Sequence, residues 1–300
     1  MLSKKITVCI FAFNEEIRIL RCIRNFKDYA KIVVIDNYST DSTKEIVETA
    51  GIRCMSIKNP NFIETPEVMN PVLDIVDTDY ILIASVSEYV PLALLQKYAE
   101  VANAGNYDVV RAYRVSITAG HPIPIAGVAR KGGHGELRFF RKDTVEFTGN
   151  QVHGRGKILS APNRVLSVVV DPALHFYQFR DYDCSHTELA HCRYDDVLAK
   201  QRYDTGQRFS WARALYHASK SFLTSYVRAG SFRHGMLGFM HCYYRGHMEF
   251  TVWLRIWEWE HGYARTDVIM RNNRVRQLME LELNPRQGEI VEGPTDPAAN

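Results

Sequence analysis

Two short segments carry the residue types from which a ligand site can be built. In Val33-Val34-Ile35-Asp36-Asn37-Tyr38-Ser39-Thr40-Asp41-Ser42-Thr43, an apolar run ends in a carboxylate and passes into hydroxyl and amide side chains. A carboxylate at the end of a buried strand, with a helix starting just beyond it, can hold a base and a ribose by hydrogen bonds. The same pattern also describes a well-capped strand–turn–helix with no ligand. In Phe11-Ala12-Phe13-Asn14-Glu15-Glu16, an earlier apolar run ends in an amide and two acids. Cys184, His186, His191 and Cys192 are zinc-ligand types, but in helical register they share no face and match no established spacing, so a structural helix is expected there.

The elements that must position these residues are readable from apolar periodicity. Ile6 to Phe11 is a continuous apolar run, as in a parallel strand covered on both faces. Asn14 is expected to cap a helix from Glu15 to Phe26. A second strand, Ile32 to Ile35, ends at Asp36; Ser39 or Thr40 would cap a helix from Asp41 to Ala50, which Gly51 stops. A third strand, Arg53 to Ile57, a helix from Glu67 to Val76 and a fourth strand, Tyr80 to Ala84, follow, and Pro91 opens a helix running through Leu92 to Asn103. This alternation predicts an α/β, Rossmann-like, mostly parallel doubly wound sheet, which takes its ligand at the carboxyl ends of the strands. Asn14, Asp36 and the Ser85–Glu88 segment all fall on that edge. From Tyr107 to Val170 strands alternate with Gly-rich breaks such as Lys131-Gly132-Gly133-His134-Gly135, suggesting β-structure and a mobile loop added to the sheet. Helical spacing returns from Asp181 to Glu260, and the Pro-, Gly- and acid-rich end reads as disordered. The expected division is 1–178, 179–283 as a helical extension, and 284–300 as a tail.

Composition narrows the partners. A net charge of +3 over 300 residues is too small to argue for nucleic acid, and no nucleic-acid motif is present. The six cysteines are scattered, as suits reduced thiols; no long apolar run could span a bilayer, and the first residues do not form a signal peptide. A cytoplasmic protein is expected.

At this spacing the two segments together resemble the family 2 glycosyltransferases of the GT-A fold, whose first two strands end in Tyr/Phe-Asn-Glu and Asp-x-x-Ser-Thr-Asp-x-Thr patterns. Glu136-Leu137-Arg138-Phe139-Phe140-Arg141-Lys142, followed by Phe147-Thr148-Gly149 and Val152-His153, is similar to the later part of the lipopolysaccharide-core and related β-glycosyltransferases. Ala229-Gly230-Ser231-Phe232-Arg233-His234-Gly235 is similar to that group's helical C-terminal part, so the likeness spans roughly residues 5 to 260. The resemblance implies inverting transfer of a sugar from a UDP-type nucleotide-sugar donor to a glycan or glycolipid acceptor. It assigns donor binding to Phe11, Ala12, Phe13, Asn14, Glu15, Asp36, Asn37, Ser39, Asp41, Ser85, Val86, Ser87, Arg138, Arg141 and His153.

Two departures from the family pattern bear on mechanism. The fourth strand of the family ends in Asp-x-Asp-Glu, whose carboxylates hold Mg2+ or Mn2+ against the diphosphate; here the place reads Ser85-Val86-Ser87-Glu88. Glu88 and His153 are the remaining candidates for a cation. Without one, Arg138 and Arg141 could take the diphosphate as bidentate donors, or be solvated arginines on a strand face. The family's catalytic Asp falls on His134 and its Gln on Glu136; either could serve as general base, with Glu88 next. Loss of the acidic cluster also motivates a non-catalytic GT-A-like binder acting with a partner. A nucleotidyltransferase would need a Gly-rich, Lys-containing first loop that is missing here. The aromatic and basic stretch from Arg208 to Trp259 fits either peripheral contact with the inner face of a membrane or packing against the catalytic domain or another subunit, as in a homo-oligomer.

Overall fold

The first strand, β1 (Ile6–Ala12), sends Val8, Ile10 and Ala12 into one apolar cluster and Cys9 into another, so both faces of the sheet are covered. The computed structural model describes residues 5–60, 62–123, 135–147, 156–180 and 184–283, with side chains of 180, 184–193 and 280–283 left aside. Chain order runs β1, α1 (Ile19–Phe26), β2 (Lys31–Asp36), α2 (Thr43–Thr49), β3 (Arg53–Ser56), α3 (Pro66–Ile75), β4 (Tyr80–Ser85), β5 (Glu88–Tyr89) and α4 (Leu92–Ala104). Next come β6 (Val109–Ala112), β7 (Arg114–Thr118), β8 (His121–Pro122), β9 (Glu136–Arg141), β10 (Val145–Glu146), β11 (Lys157–Ile158), β12 (Val165–Ser167) and β13 (Phe176–Arg180). The helices α5 (Cys184–Asp204), α6 (Trp211–Leu223), α7 (Gly235–Glu260) and α8 (Arg265–Leu283) close the described chain.

Among the described residues the main sheet has the order β12-β6-β9-β4-β1-β2-β3, parallel except for β9. The expected α/β class with C-terminal helices is therefore the class observed. Helix α1 buries Ile19, Cys22, Ile23 and Phe26, the i, i+3, i+4, i+7 stripe of a helix lying on a sheet. Phe139 of β9 is stacked between Tyr80 and Tyr98, with ring centroids 5.2 and 4.4 Å away. A smaller sheet, β5-β13-β7-β8, sits beyond the carboxyl edge.

Element positions follow the apolar runs within one or two residues, with one larger difference. The helix expected from Glu15 starts only at Ile19, because Asn14 has φ 54° and its side chain reaches a different loop instead of capping. Likewise α2 starts at Thr43, with Asp41 rather than Ser39 or Thr40 accepting the first free amide, Thr43 N, at 3.0 Å. Gly51, at φ 70°, ends that helix as expected. The tail 284–300 lies outside the described residues.

The helical extension has its own core of Ala199, Ala214, Val252, Trp253 and Ile256. Asp195 of α5 is buried beside it, and one carboxylate oxygen, Oδ1, has no hydrogen-bond partner among the described residues. Burial pushes its carboxyl up to about 7, against the pull of Arg255 and with reinforcement from Asp196 and Glu249. The folded pKa is raised, so the fold favours the protonated acid. Stability then falls as pH rises from about 4 through 7, where the buried group must ionise. Asp195→Asn is expected to stabilise the protein by about 2–4 kcal/mol at pH 8 and to change nothing near pH 4. Urea denaturation at both pH values checks this, and an equal effect at both would contradict it.

Candidate functional site

The loops leaving β1 and β2 are tied to each other across the carboxyl edge. Asn14 N donates to Ser39 Oγ at 2.9 Å, and Thr40 N to Asn14 Oδ1 at 2.8 Å. Glu15 N donates to Thr43 Oγ1 at 2.7 Å, Glu16 N to Asp41 Oδ2 at 3.0 Å, and Ser42 N to Glu16 Oε2 at 3.0 Å. Slight burial opposes ionisation of Asp41, but the hydrogen bonds from Thr43 and the Glu16 amide together hold its carboxyl below the usual range. Glu15 also binds Arg18 through two 2.7 Å contacts. Asn14, Glu15, Ser39 and Asp41 are thus the frame of the edge, engaged with each other.

Asp36 ends β2 beneath that frame. It is 1% exposed, and its carboxylate accepts the Ser39 amide at 3.2 and 3.3 Å. Asn37 turns the chain outward and exchanges two hydrogen bonds with the Asn59 backbone, at 2.8 and 2.6 Å. This places the loops after β1, β2 and β3 around an open groove of about 510 Å³, lined by Phe13, Asn37, Tyr38, Lys58, Pro60 and Phe62. Phe13 and Phe62 meet edge to face at 5.4 Å, while Tyr38, held at φ 60°, is exposed. Flat aromatic surfaces beside a cation suit a planar base with phosphates attached. Phe11 and Ala12 stay within β1, half-buried and buried respectively. Tyr38, Lys58 and Phe62 were missed from sequence; the only available signal was that Lys58 follows the third strand by two residues.

The end of β4 is different in kind. Ser85 and Ser87 are partly exposed and their hydroxyls lie 3.0 Å apart, with Val86 buried between them. Glu88 turns inward: it accepts the Ser85 amide at 3.0 Å and forms a buried ion pair with Arg138. Arg138 approaches Glu136 at 3.5 Å, and Glu136 meets Arg114 at 2.9 Å, so four charges run in a chain under the edge. Burial pushes the Glu88 carboxyl up and Arg138 opposes that shift; burial likewise works against the Arg138 charge, but Glu88 and Glu136 more than hold its proton.

These positions bear on several expectations. Arg138 is 4% exposed and pairs with Glu88. Arg141 stands at the opposite edge of the sheet, paired in register with Tyr80 at the start of β4, because β9 runs antiparallel to its neighbours. Glu88 is buried and paired with Arg138. Among the described residues no group of three His, Cys, Asp or Glu could hold a metal. Two paired neutral hydroxyls and a guanidinium-bound carboxylate are a poor donor set for Mg2+ or Mn2+. His134 and His153 lie outside the described residues.

Glu136, by contrast, starts β9 at the carboxyl edge, opposite Ala112 of β6. Gly135 permits this entry: at φ 66°, an added Cβ would stand 2.5 Å from the Val169 side chain and 3.0 Å from the Ala112 carbonyl oxygen.

A mostly parallel α/β sheet with an aromatic groove at its carboxyl edge defines the class to which nucleotide-binding folds belong. Residues 7–142 match the family model of glycosyl transferase family 2. Among solved structures, this chain is similar to TarS 1-349 of S. aureus in complex with UDP-GlcNAc, at 12% identity and TM-score 0.47, covering 80% of this chain and 89% of that one. It is also similar to glucosyl-3-phosphoglycerate synthase from Mycobacterium tuberculosis in complex with Mn2+, UDP and phosphoglyceric acid, at 15% identity and TM-score 0.44, covering 69% and 80%. No curated protein matches.

Proposed function

We propose that this chain transfers a sugar from a UDP-type nucleotide-sugar to a glycan or glycolipid acceptor, with inversion, and that it does so without a carboxylate-held cation. The family match supports glycosyl transfer. The observation that carries the donor site is the groove of Phe13, Tyr38, Lys58 and Phe62 lying beside Asp36, within the matched residues. In the reaction the acceptor oxygen bonds to the anomeric carbon, the bond from that carbon to the diphosphate oxygen breaks, and the acceptor proton passes to a base. The base is drawn from His134 and Glu136, of which Glu136 opens β9. Lys58 is the described cation available to the phosphates on the groove wall. The second reading, a binder without turnover, is favoured by the inward Glu88 and the paired Ser85 and Ser87 hydroxyls.

Calorimetric titration of UDP into the wild type and Asp36→Ala, each with and without EDTA, tests the donor site. Asp36→Ala is expected to weaken UDP about tenfold or more, as for loss of a hydrogen bond to a charged acceptor, while EDTA leaves wild-type affinity unchanged. Equal affinity for the variant would remove Asp36 from the site, and loss of binding in EDTA would restore the cation. Donor turnover with acceptor extracts separates enzyme from binder.

A further inference from the structure

We propose that the end of the α6–α7 hairpin docks onto the surface of a lipid bilayer bearing anionic headgroups. This inference stands apart from the donor site and from catalysis.

The two ends of the hairpin are packed differently. Val252, Trp253 and Ile256 fill the end away from the turn, whereas the residues buried toward the turn are small: Ser225, Ser231, Gly238, Cys242 and Gly246. Gly238 lies against the Ser231 carbonyl, with no room for a Cβ, and a Cβ on Gly246 would stand 3.1 Å from the Ala218 carbonyl oxygen. Close approach through small residues leaves the large apolar side chains outside, an arrangement typical of helices that pack in lipid. At the turn end, Leu223, Val227, Phe232, Met236 and Phe239 are all exposed, Met236 at 71%. Phe232 and Phe239 both meet Tyr226, at 6.3 and 6.0 Å, and exposed apolar side chains gathered at one end mark a surface that is covered in use.

Charge decides what covers it. No acidic residue occurs between Asp204 and Glu249, whereas Arg208, Arg213, Lys220, Arg228, Arg233 and Arg245 all fall within that stretch. Lys220, Arg228 and Arg233 flank the exposed apolar end. A second copy of this chain would bring the same acid-free surface against it, setting like charges together in a desolvated contact. An anionic bilayer surface offers the opposite charge and an apolar layer within a few ångströms below. No described helix is long and apolar enough to cross a membrane, so the hairpin end would lie in the interface.

Flotation of the full chain on a density gradient tests this, using vesicles of equal parts phosphatidylcholine and phosphatidylglycerol against phosphatidylcholine alone. The protein is expected to float with the anionic vesicles at low salt, to be released at high salt, and to stay down with the neutral ones. Val227→Ser combined with Met236→Ser, and separately Arg228→Glu combined with Arg233→Glu, should each lower the partition coefficient about tenfold or more. Both variants alter exposed side chains, and circular dichroism and the unfolding midpoint should match the wild type. No flotation at low salt overturns the proposal, as does flotation that neither variant reduces. A dimer in sedimentation that Met236→Ser disperses, without vesicle binding, assigns the face to a second copy and overturns it equally.

Discussion

Replacing Arg138 by Met is expected to destabilise this protein by about 3–5 kcal/mol, the usual loss when one partner of a buried ion pair is removed. The variant leaves the Glu88 carboxyl buried, with the Ser85 amide at 3.0 Å still donating to it. Burial already pushes that carboxyl up, and Arg138 is the strongest influence holding it down. Without Arg138, Glu88 takes a proton over a wider range, so its folded pKa stands well above its unfolded value. Such a group leaves stability intact at low pH and removes it as pH rises through the folded pKa. The loss in Arg138→Met should therefore be larger at pH 8 than at pH 5, measured by urea denaturation at each. Adding Glu88→Gln should recover part of it at pH 8, because the charge left without its partner is gone. A loss below about 1 kcal/mol without pH dependence would mean that the pair is as well solvated as a surface one.

The second large effect concerns turnover. The double variant His134→Ala, Glu136→Gln should lose about 10²–10⁴ in kcat while UDP affinity stays within about threefold, since general-base catalysis contributes to the transition state and not to donor binding. Glutamine keeps the shape of Glu136 and a hydrogen-bonding oxygen toward Arg114, now 2.9 Å from the carboxylate, so the frame of β9 is retained. The single variants then apportion the role: the base is whichever of them carries most of the loss. Near-normal turnover in the double variant would place the proton acceptor elsewhere on the acceptor side of the groove.

Much of the architecture was legible without coordinates. Strands β1, β2 and β4 are continuous apolar runs, and a run of that kind is stable only where both faces are covered, which leads directly to a parallel sheet under helices. Gly51 stops a helix because it accepts positive φ, whereas the face of the first helix was misread: Ile17 and Leu20, which share helical spacing with Ile23, are exposed, and Ile19, Cys22, Ile23 and Phe26 are the buried stripe. The position of Asp36 at the ligand-bearing edge follows from the same local rules. These are properties of neighbouring residues, so a single chain displays them.

The roles of individual site residues were decided elsewhere in the chain. Asn14 has the side chain of a helix cap, yet it serves Thr40, which is 26 positions away, because the β1 and β2 loops meet only after β1 and β2 pair. Arg138 and Arg141 look alike in sequence. The antiparallel direction of β9 sends one beneath the carboxyl edge onto Glu88 and carries the other to the far side of the sheet beside Tyr80. Glu88 likewise reads as a surviving ligand until the strand that brings Arg138 against it is in place. Tyr38, Lys58 and Phe62 come from two loops and form one wall only where β2 and β3 pair. In the hairpin, the aromatic stretch is plain in the sequence, but only the tertiary structure shows that Trp253 is buried at one end while close approach at Gly238 and Gly246 leaves Phe232, Met236 and Phe239 exposed at the other. Apolar periodicity depends on residues a few positions apart, whereas the partner of a charge depends on which strand lies next to it and in which direction that strand runs.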